Sequence, residues 1–292
     1  MTATSTGARR QLEAIARSQP ETEPWLALYQ AALDAAENPA WEVAATATML
    51  HPTPAGPAPL LTGATVPIPP DLVAELFRCL FAAIARSDGS NGAFRDATAA
   101  MDARDLLQAA INQDGDRVLG VATGGGVDAA ALAAIAQVAT LPLLQALRRR
   151  FAATAPLPWD HGFCPICGAW PVLAELRGLE RARRLRCGRC GGDWGIIALR
   201  CPFCLTHDHR HVGSLIPADG AEARRVETCD QCRGYIKTAT TLRGWAGDEV
   251  GLADLSSIDL DLVALERDYA RPDAPAVDLA LRLVPATAEG QS

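Results

Sequence analysis

Aromatic residues make up only 5% of this 292-residue chain. A protein that grips single-stranded nucleic acid by stacking needs more of them. No stretch approaches the roughly 18 consecutive apolar residues of a membrane helix, so no span is expected. Arg9-Arg10 sit near the start, but charged residues rather than an apolar run follow over 11–18. No export signal is read there, and a cytoplasmic location is expected. No Gly-Lys-Ser/Thr follows Gly124-Gly125-Gly126 and no strong strand precedes it, which indicates a turn rather than a phosphate cradle. The first half has neither a Ser/His/Asp arrangement nor a His-Glu-x-x-His motif, and a non-catalytic protein is expected. What is present excludes a chain disordered throughout, since 49% of residues are hydrophobic and only 21% charged. At a loose 150 residues or so per domain, about two domains are expected.

The net charge of −7 argues against a general nucleic-acid binder, but it is unevenly spread. Residues 160–245 carry 13 basic and 9 acidic side chains, while the remainder carries 14 and 25. The same segment holds eight of the nine cysteines, between Cys164 and Cys232. Without a secretory signal, cysteines bunched this tightly favour metal ligation over disulfides.

Residues 1 to about 155 read as helical. In 71–87, Leu72, Leu76, Leu80 and Ile84 recur at helical spacing beside Val73, Phe77 and Phe81. Pro69-Pro70 precede this stretch, Asp71 can cap it and Gly89 follows it. Cys79 lies within it and reads as a small buried hydrophobe, against the alternative of a reactive thiol. Further helices are expected over 23–37, 93–112 and 128–151, the last kinked or divided at Pro142. Residues 52–70 hold seven prolines and read as an extended connection.

After Pro156-Leu157-Pro158 come four Cys-x-x-Cys pairs: Cys164/Cys167, Cys187/Cys190, Cys201/Cys204 and Cys229/Cys232. Two cysteines so spaced can turn both sulfurs toward one ion, and two such knuckles complete a tetrahedral four-thiolate site. A glycine just past the second cysteine eases a turn that needs positive φ. Gly168 and Gly191 fit; Gly234 comes one residue late and the third pair has Leu205, so that knuckle reads as irregular. A thioredoxin-like redox pair would need an α/β context that is missing. The segment is an imperfect repeat of knuckle, hairpin, knuckle and strand, with turns expected near Gly178 and near Asp219-Gly220. It therefore favours neighbour pairing: Cys164, Cys167, Cys187 and Cys190 for one ion, and Cys201, Cys204, Cys229 and Cys232 for the other. An interleaved cross-brace is the alternative. Modules this small bury too little apolar surface to fold alone, so the metal should supply much of their stability. A site closed by four thiolates is structural or electron-carrying, not hydrolytic.

The arginine-rich run 177–189 is expected to offset thiolate charge, with nucleic-acid binding as its other possible use. His207, His209 and His211 alternate as on one face of an extended strand, either facing solvent or a partner, or forming a further metal or substrate site. The tail from Gly247 carries ten acids against three arginines, and its piece 255–265 is expected to pack as a closing helix.

Phe163-Cys-Pro-Ile-Cys-Gly168, Leu185-Arg-Cys-Gly-Arg-Cys-Gly-Gly-Asp-Trp194, Cys201-Pro-Phe-Cys204, Glu227-Thr-Cys-Asp-Gln-Cys232 and Tyr235-Ile-Lys237 resemble the FdhE family of formate dehydrogenase accessory proteins. The resemblance implies an α+β chain: an all-α N-terminal domain (1–155), two small rubredoxin-like, zinc-ribbon-like β modules (160–200 and 201–245), and a C-terminal helix and tail (246–292). It implies two ions per chain, iron or zinc, each held by four cysteines. It also implies a cytoplasmic assembly factor that binds the catalytic subunit of respiratory formate dehydrogenase before export. Iron would permit a redox role, whereas zinc would not. The rival reading is a zinc-ribbon nucleic-acid-binding or transcription-associated protein, whose binding would weaken steeply with salt.

Overall fold

The computed structural model describes residues 6–52, 57–88, 102–156, 158–216 and 223–286. The chain forms two compact units. One comprises Met1–Thr53, Leu61–Ala153 and Leu279–Ser292; the other comprises Pro54–Leu60 and Thr154–Asp278.

The first unit is mainly helical: α1 (Thr6–Ser18), α2 (Glu23–Ala35), α3 (Ala40–Thr46), α4 (Pro70–Asp88), α5 (Ala103–Asn112), α6 (Gly115–Gly125), α7 (Ala129–Ala139) and α8 (Leu141–Phe151). Helix α4 buries Val73, Leu76, Phe77, Leu80 and Phe81, the face its periodicity marks out. Three consecutive helices begin at aspartates whose carboxylates accept backbone N–H groups: Asp102 from Arg104 and Asp105, Asp114 from Arg117, and Asp128 from Ala131. The glycine triplet is not an open turn. Gly124 and Gly125 finish α6, and Gly126 closes it in the left-handed conformation at φ 64°. The break expected at Pro142 falls at Thr140, where Pro142 enters the first turn of α8 and needs no N–H partner. Of the helix expected over 93–112, residues 93–101 lie outside the described residues and Ala103–Asn112 is helical.

Two features depart from the sequence reading. The run Ala129–Thr154 is long and apolar enough to cross a membrane by length and composition, contrary to expectation. However, 72% of its most apolar window is buried within the fold, as for a core helix. The helical unit is also not all-α. Within the proline-rich connection, β1 (Thr65–Ile68) pairs in parallel with β8 (Arg282–Pro285) from the tail. Asn112 and Gln108 of α5 occupy the strand's other edge. Leu281 N donates to Asn112 Oδ1 (2.9 Å), Asn112 Nδ2 to Leu281 O (2.9 Å), and Leu283 N to Gln108 Oε1 (2.7 Å).

The second unit is built on a six-stranded sheet of order β4-β3-β2-β7-β6-β5. Its strands are β2 (Leu173–Arg177), β3 (Ala182–Arg186), β4 (Asp193–Gly195), β5 (Val212–Leu215), β6 (Arg224–Cys229) and β7 (Tyr235–Thr241). Each copy of the sequence repeat supplies three antiparallel strands. The copies join through a parallel pairing of β2 with β7, running from Leu173↔Lys237 to Arg177↔Thr241. One sheet therefore passes through both cysteine modules. The turn at Gly178 is present, whereas that expected near Asp219-Gly220 lies outside the described residues.

The closing helix is two short helices, α9 (Val250–Leu255) and α10 (Ile258–Leu265). Val250 and Ala253 pack on Leu173, and Leu260 and Ala264 on Val226 and Tyr235. Lys237, the sole lysine of the chain and 1% exposed, ties both to the sheet. Its Nζ reaches Asp254 Oδ1 (2.8 Å), Asp261 Oδ2 (2.7 Å) and the Asp254 carbonyl (2.6 Å). Arg271 bridges the same two carboxylates, and the Tyr235 hydroxyl donates to Asp261. Burial would raise Asp254, but the charges of Arg271 and Lys237 outweigh it and hold this carboxyl below its ordinary range.

Removing one partner of a buried ion network leaves the rest uncompensated. Lys237→Met is expected to cost about 3–5 kcal/mol, read as a lower urea midpoint. Because the folded-state pKa of Asp254 is depressed, the stability it supplies is complete above the ordinary carboxylate value. It is lost as pH falls from about 4 through the folded value. Urea midpoints of the native protein should therefore decline on acidification below about pH 4, and less so in Asp254→Asn.

Candidate metal centres

The four knuckles share one backbone design. The N–H of the first cysteine donates to the carbonyl five residues on: Cys164 to Ala169 (2.9 Å), Cys187 to Gly192 (3.0 Å), Cys201 to Thr206 (2.9 Å) and Cys229 to Gly234 (2.9 Å). The residue after the second cysteine is left-handed in all four: Gly168 at φ 70°, Gly191 at 73°, Leu205 at 61° and Arg233 at 56°. The third knuckle is thus regular in geometry despite Leu205. In the fourth it is Arg233, not the later Gly234, that takes the positive φ.

These turns bring Cys164, Cys167, Cys187 and Cys190 into one group and Cys201, Cys204, Cys229 and Cys232 into another. Within each group all sulfurs lie within 4.8 Å of one another. The grouping is by neighbouring pairs, not cross-braced. Cys164 Sγ to Cys190 Sγ and Cys167 Sγ to Cys187 Sγ are each 3.5 Å; Cys201 to Cys232 and Cys204 to Cys229 are each 3.7 Å. Four sulfurs at about 2.3 Å from a central ion would stand about 3.8 Å apart, so both quartets have the dimensions of a tetrahedral thiolate site. In the first, burial pushes the Cys164 thiol well up, while hydrogen bonds from Cys164, Cys167 and Cys190 pull Cys187 well down. A thiolate on Cys187 is therefore sheltered by its neighbours, whereas further ionisation in this dry site calls for a cation.

The surroundings differ from expectation in their charges. The arginines of 177–189 pair mainly with carboxylates and carbonyls rather than spreading over a basic face. Glu175, fully buried on β2, accepts from Arg177 (2.9 Å), Arg186, Thr241 Oγ1 (3.2 Å) and the Trp245 N–H (3.1 Å). Arg177 and Arg184 converge on Asp193; although burial acts to raise that carboxyl, their hydrogen bonds hold it low. Arg183 donates to Glu227 Oε2 (2.7 Å) and the Arg200 carbonyl (2.8 Å), linking the two modules. Sequence reasoning missed Glu175; its signal is a lone carboxylate inside the apolar run Val172-Leu-Ala-Glu-Leu176, facing an arginine-rich strand.

The sparse aromatic residues concentrate here too. Trp159 meets Phe163, Phe163 meets Trp170, and Trp170 meets Phe203 of the third knuckle, each edge to face at 5.2–6.3 Å. At Gly162 a Cβ would fall 1.5 Å from the Pro202 carbonyl oxygen, so only glycine permits this approach between modules.

His207, His209 and His211 do not share a strand face. They occupy the exposed irregular stretch before β5 and join no metal-competent group among the described residues. Cys79, in the helical unit, is half-buried rather than buried. Its thiol lies 3.4 Å from Glu75 Oε1, and burial pushes it up, which disfavours a reactive thiolate.

No family model matches the chain. It is 31% identical to the FdhE homologue of Stutzerimonas stutzeri over 127 residues, 41% of this chain and 39% of that protein. It is 31% identical to FdhE of Escherichia coli over 111 residues, 37% and 35% of the two. It is 35% identical to the Shewanella baltica homologue over 105 residues, 35% and 34%. The matched stretch thus spans less than half the length of these curated relatives. The crystal structure of the FdhE protein from Pseudomonas aeruginosa aligns with 99% of both chains at a TM-score of 0.54 and 19% identity, a likeness of fold. The chain is thus similar in local sequence to several FdhE proteins and, along nearly its whole length, in fold to one of them.

Proposed function

We propose that this protein is a non-catalytic accessory factor for respiratory formate dehydrogenase, binding the enzyme's catalytic subunit in the cytoplasm before export. The observation that carries this reading is the pair of closed thiol quartets set in one sheet. With all eight cysteines as ligands, each site spends its four positions on the protein and offers none to a substrate. Such sites shape a surface; with iron they would also carry electrons, and with zinc they would only shape it. The sheet joins both sites, so the second unit is expected to dock as one body.

The nucleic-acid reading loses its main support in the pairing of Arg177, Arg183, Arg184 and Arg186 with Glu175, Asp193 and Glu227. Few unmatched cations would then be available to phosphates. Affinity purification of the full chain from formate-respiring cells should recover the dehydrogenase catalytic subunit. Recovery of nucleic acid in its place, released by moderate salt, would reverse the assignment.

The ligand assignment has its own test. Anaerobically purified native protein should contain two ions, iron or zinc, by elemental analysis. Replacing Cys164 and Cys167 together with Ser should leave one ion, bound by Cys201, Cys204, Cys229 and Cys232. Unchanged metal content in that variant would exclude the first quartet as a site.

A further inference from the structure

The two quartets have the same knuckle design but unequal surroundings. All four thiols of the first are buried, whereas in the second Cys232 is exposed and Cys204 half-buried. The cause is local. A Cβ on Gly168 would come 2.4 Å from Val277 Cγ2 and 3.0 Å from Pro59 Cγ, so these residues press directly on the first knuckle. A Cβ on Gly191 would fall 2.5 Å from the Gly247 backbone, which covers the second knuckle in the same way. Glycine is thus needed twice at the first quartet, for its positive φ and for the segments packed over it.

At the second quartet the corresponding positions are Leu205 and Arg233. Each bears a side chain in the left-handed region, and each carries a penalty of the order of tenfold or more in an equilibrium constant. Arg233 turns away from the sulfurs. Its guanidinium stacks 4.0 Å from the Tyr269 ring centre and donates to the carbonyls of Arg267 (2.6 Å) and Asp268 (3.2 Å). The segment 267–270 also meets this knuckle through the Ala270 N–H, which donates to the Arg233 carbonyl (2.9 Å), yet Cys232 stays exposed.

Resting on the reading that both quartets hold ions, we propose a division of labour. The Cys164 quartet is a permanent structural site, and the Cys201 quartet is an exchange site that gives up or accepts its ion through the open Cys232 edge. The ligand class it meets is a soft donor, a thiolate or chelating nitrogen, carried in from solvent or by a partner. The new donor–metal bond forms as the bond to Cys232 Sγ breaks. Cys232 leaves as a thiolate and takes up a proton from water, and no electrons are transferred. The strain at Leu205 and Arg233 favours release, because the knuckles relax once the sulfurs part.

The test uses the full chain loaded with two equivalents of zinc and challenged with excess 4-(2-pyridylazo)resorcinol, with zinc release followed by absorbance. One equivalent should leave at least about tenfold faster than the other, from the left-handed penalties alone. N-ethylmaleimide added during the fast phase, mapped by mass spectrometry, should label Cys232 and Cys204 ahead of the first quartet. Cys232→Ala should abolish the fast phase and keep the slow equivalent. Release of both equivalents in one phase, or earlier labelling of Cys164–Cys190, would overturn the division while leaving two-site binding intact. A native chain that takes up no zinc would overturn the metal reading beneath it.

Discussion

The parallel ladder between β2 and β7 is the contact on which the cysteine-bearing unit depends. Either ribbon alone is a three-stranded scrap with one apolar face and too little surface to bury. Joined edge to edge, the two become a six-stranded sheet with interior strands rich in buried residues. The ladder also sets the electrostatics. It puts Lys237 beside Leu173, where α9 covers the sheet, and brings Thr241 to Glu175. The buried carboxylate of β2 and the buried ammonium of β7 thus belong to adjacent strands: Arg177 and Arg186 neutralise Glu175, and Asp254 and Asp261 neutralise Lys237.

That arrangement explains the uneven charge of the chain. The basic excess of 160–245 suggests an outward-facing positive surface, but the arginines are consumed internally by Glu175, Asp193 and Glu227. In the acidic tail, Asp254 and Asp261 are counter-ions for Lys237 and Arg271. Charge counting along the chain does not reveal such pairs where the partners are distant, as for Arg183 with Glu227, 44 residues apart, and Lys237 with Asp261, 24 apart. Buried pairs of this kind contribute little net stability, but each fixes a geometry, since a slipped register would strand a charge.

What was legible in the sequence was what is local. Cys-x-x-Cys spacing fixes a knuckle within five residues, and the repeat of knuckle and hairpin brought the right quartets together. The period of α4 and the proline break before α8 were readable for the same reason. The β1–β8 pairing was not, because its residues lie 217 apart and neither strand alternates strongly. The order of the six strands was equally hidden: nothing in β2 or β7 alone says that their edges meet. Gly234 misled for a subtler reason. A glycine near a turn invites the positive φ, yet the hydrogen bond from Cys229 N to the Gly234 carbonyl sets the ring size and puts the left-handed residue at Arg233.

The contrast between glycine and non-glycine knuckles follows from what packs on them. Where the Gly247 backbone or Val277 lies on a turn, a side chain has no room and glycine is obligatory. At the Cys201 quartet a leucine and an arginine take the left-handed position at the expense of backbone strain, and the arginine gains a stacking partner in Tyr269. Residue identity at these four positions therefore records how deeply each knuckle is embedded. The same substitution that marks a knuckle as exposed also weakens its hold on the turn, so access and strain change together at the Cys201 quartet.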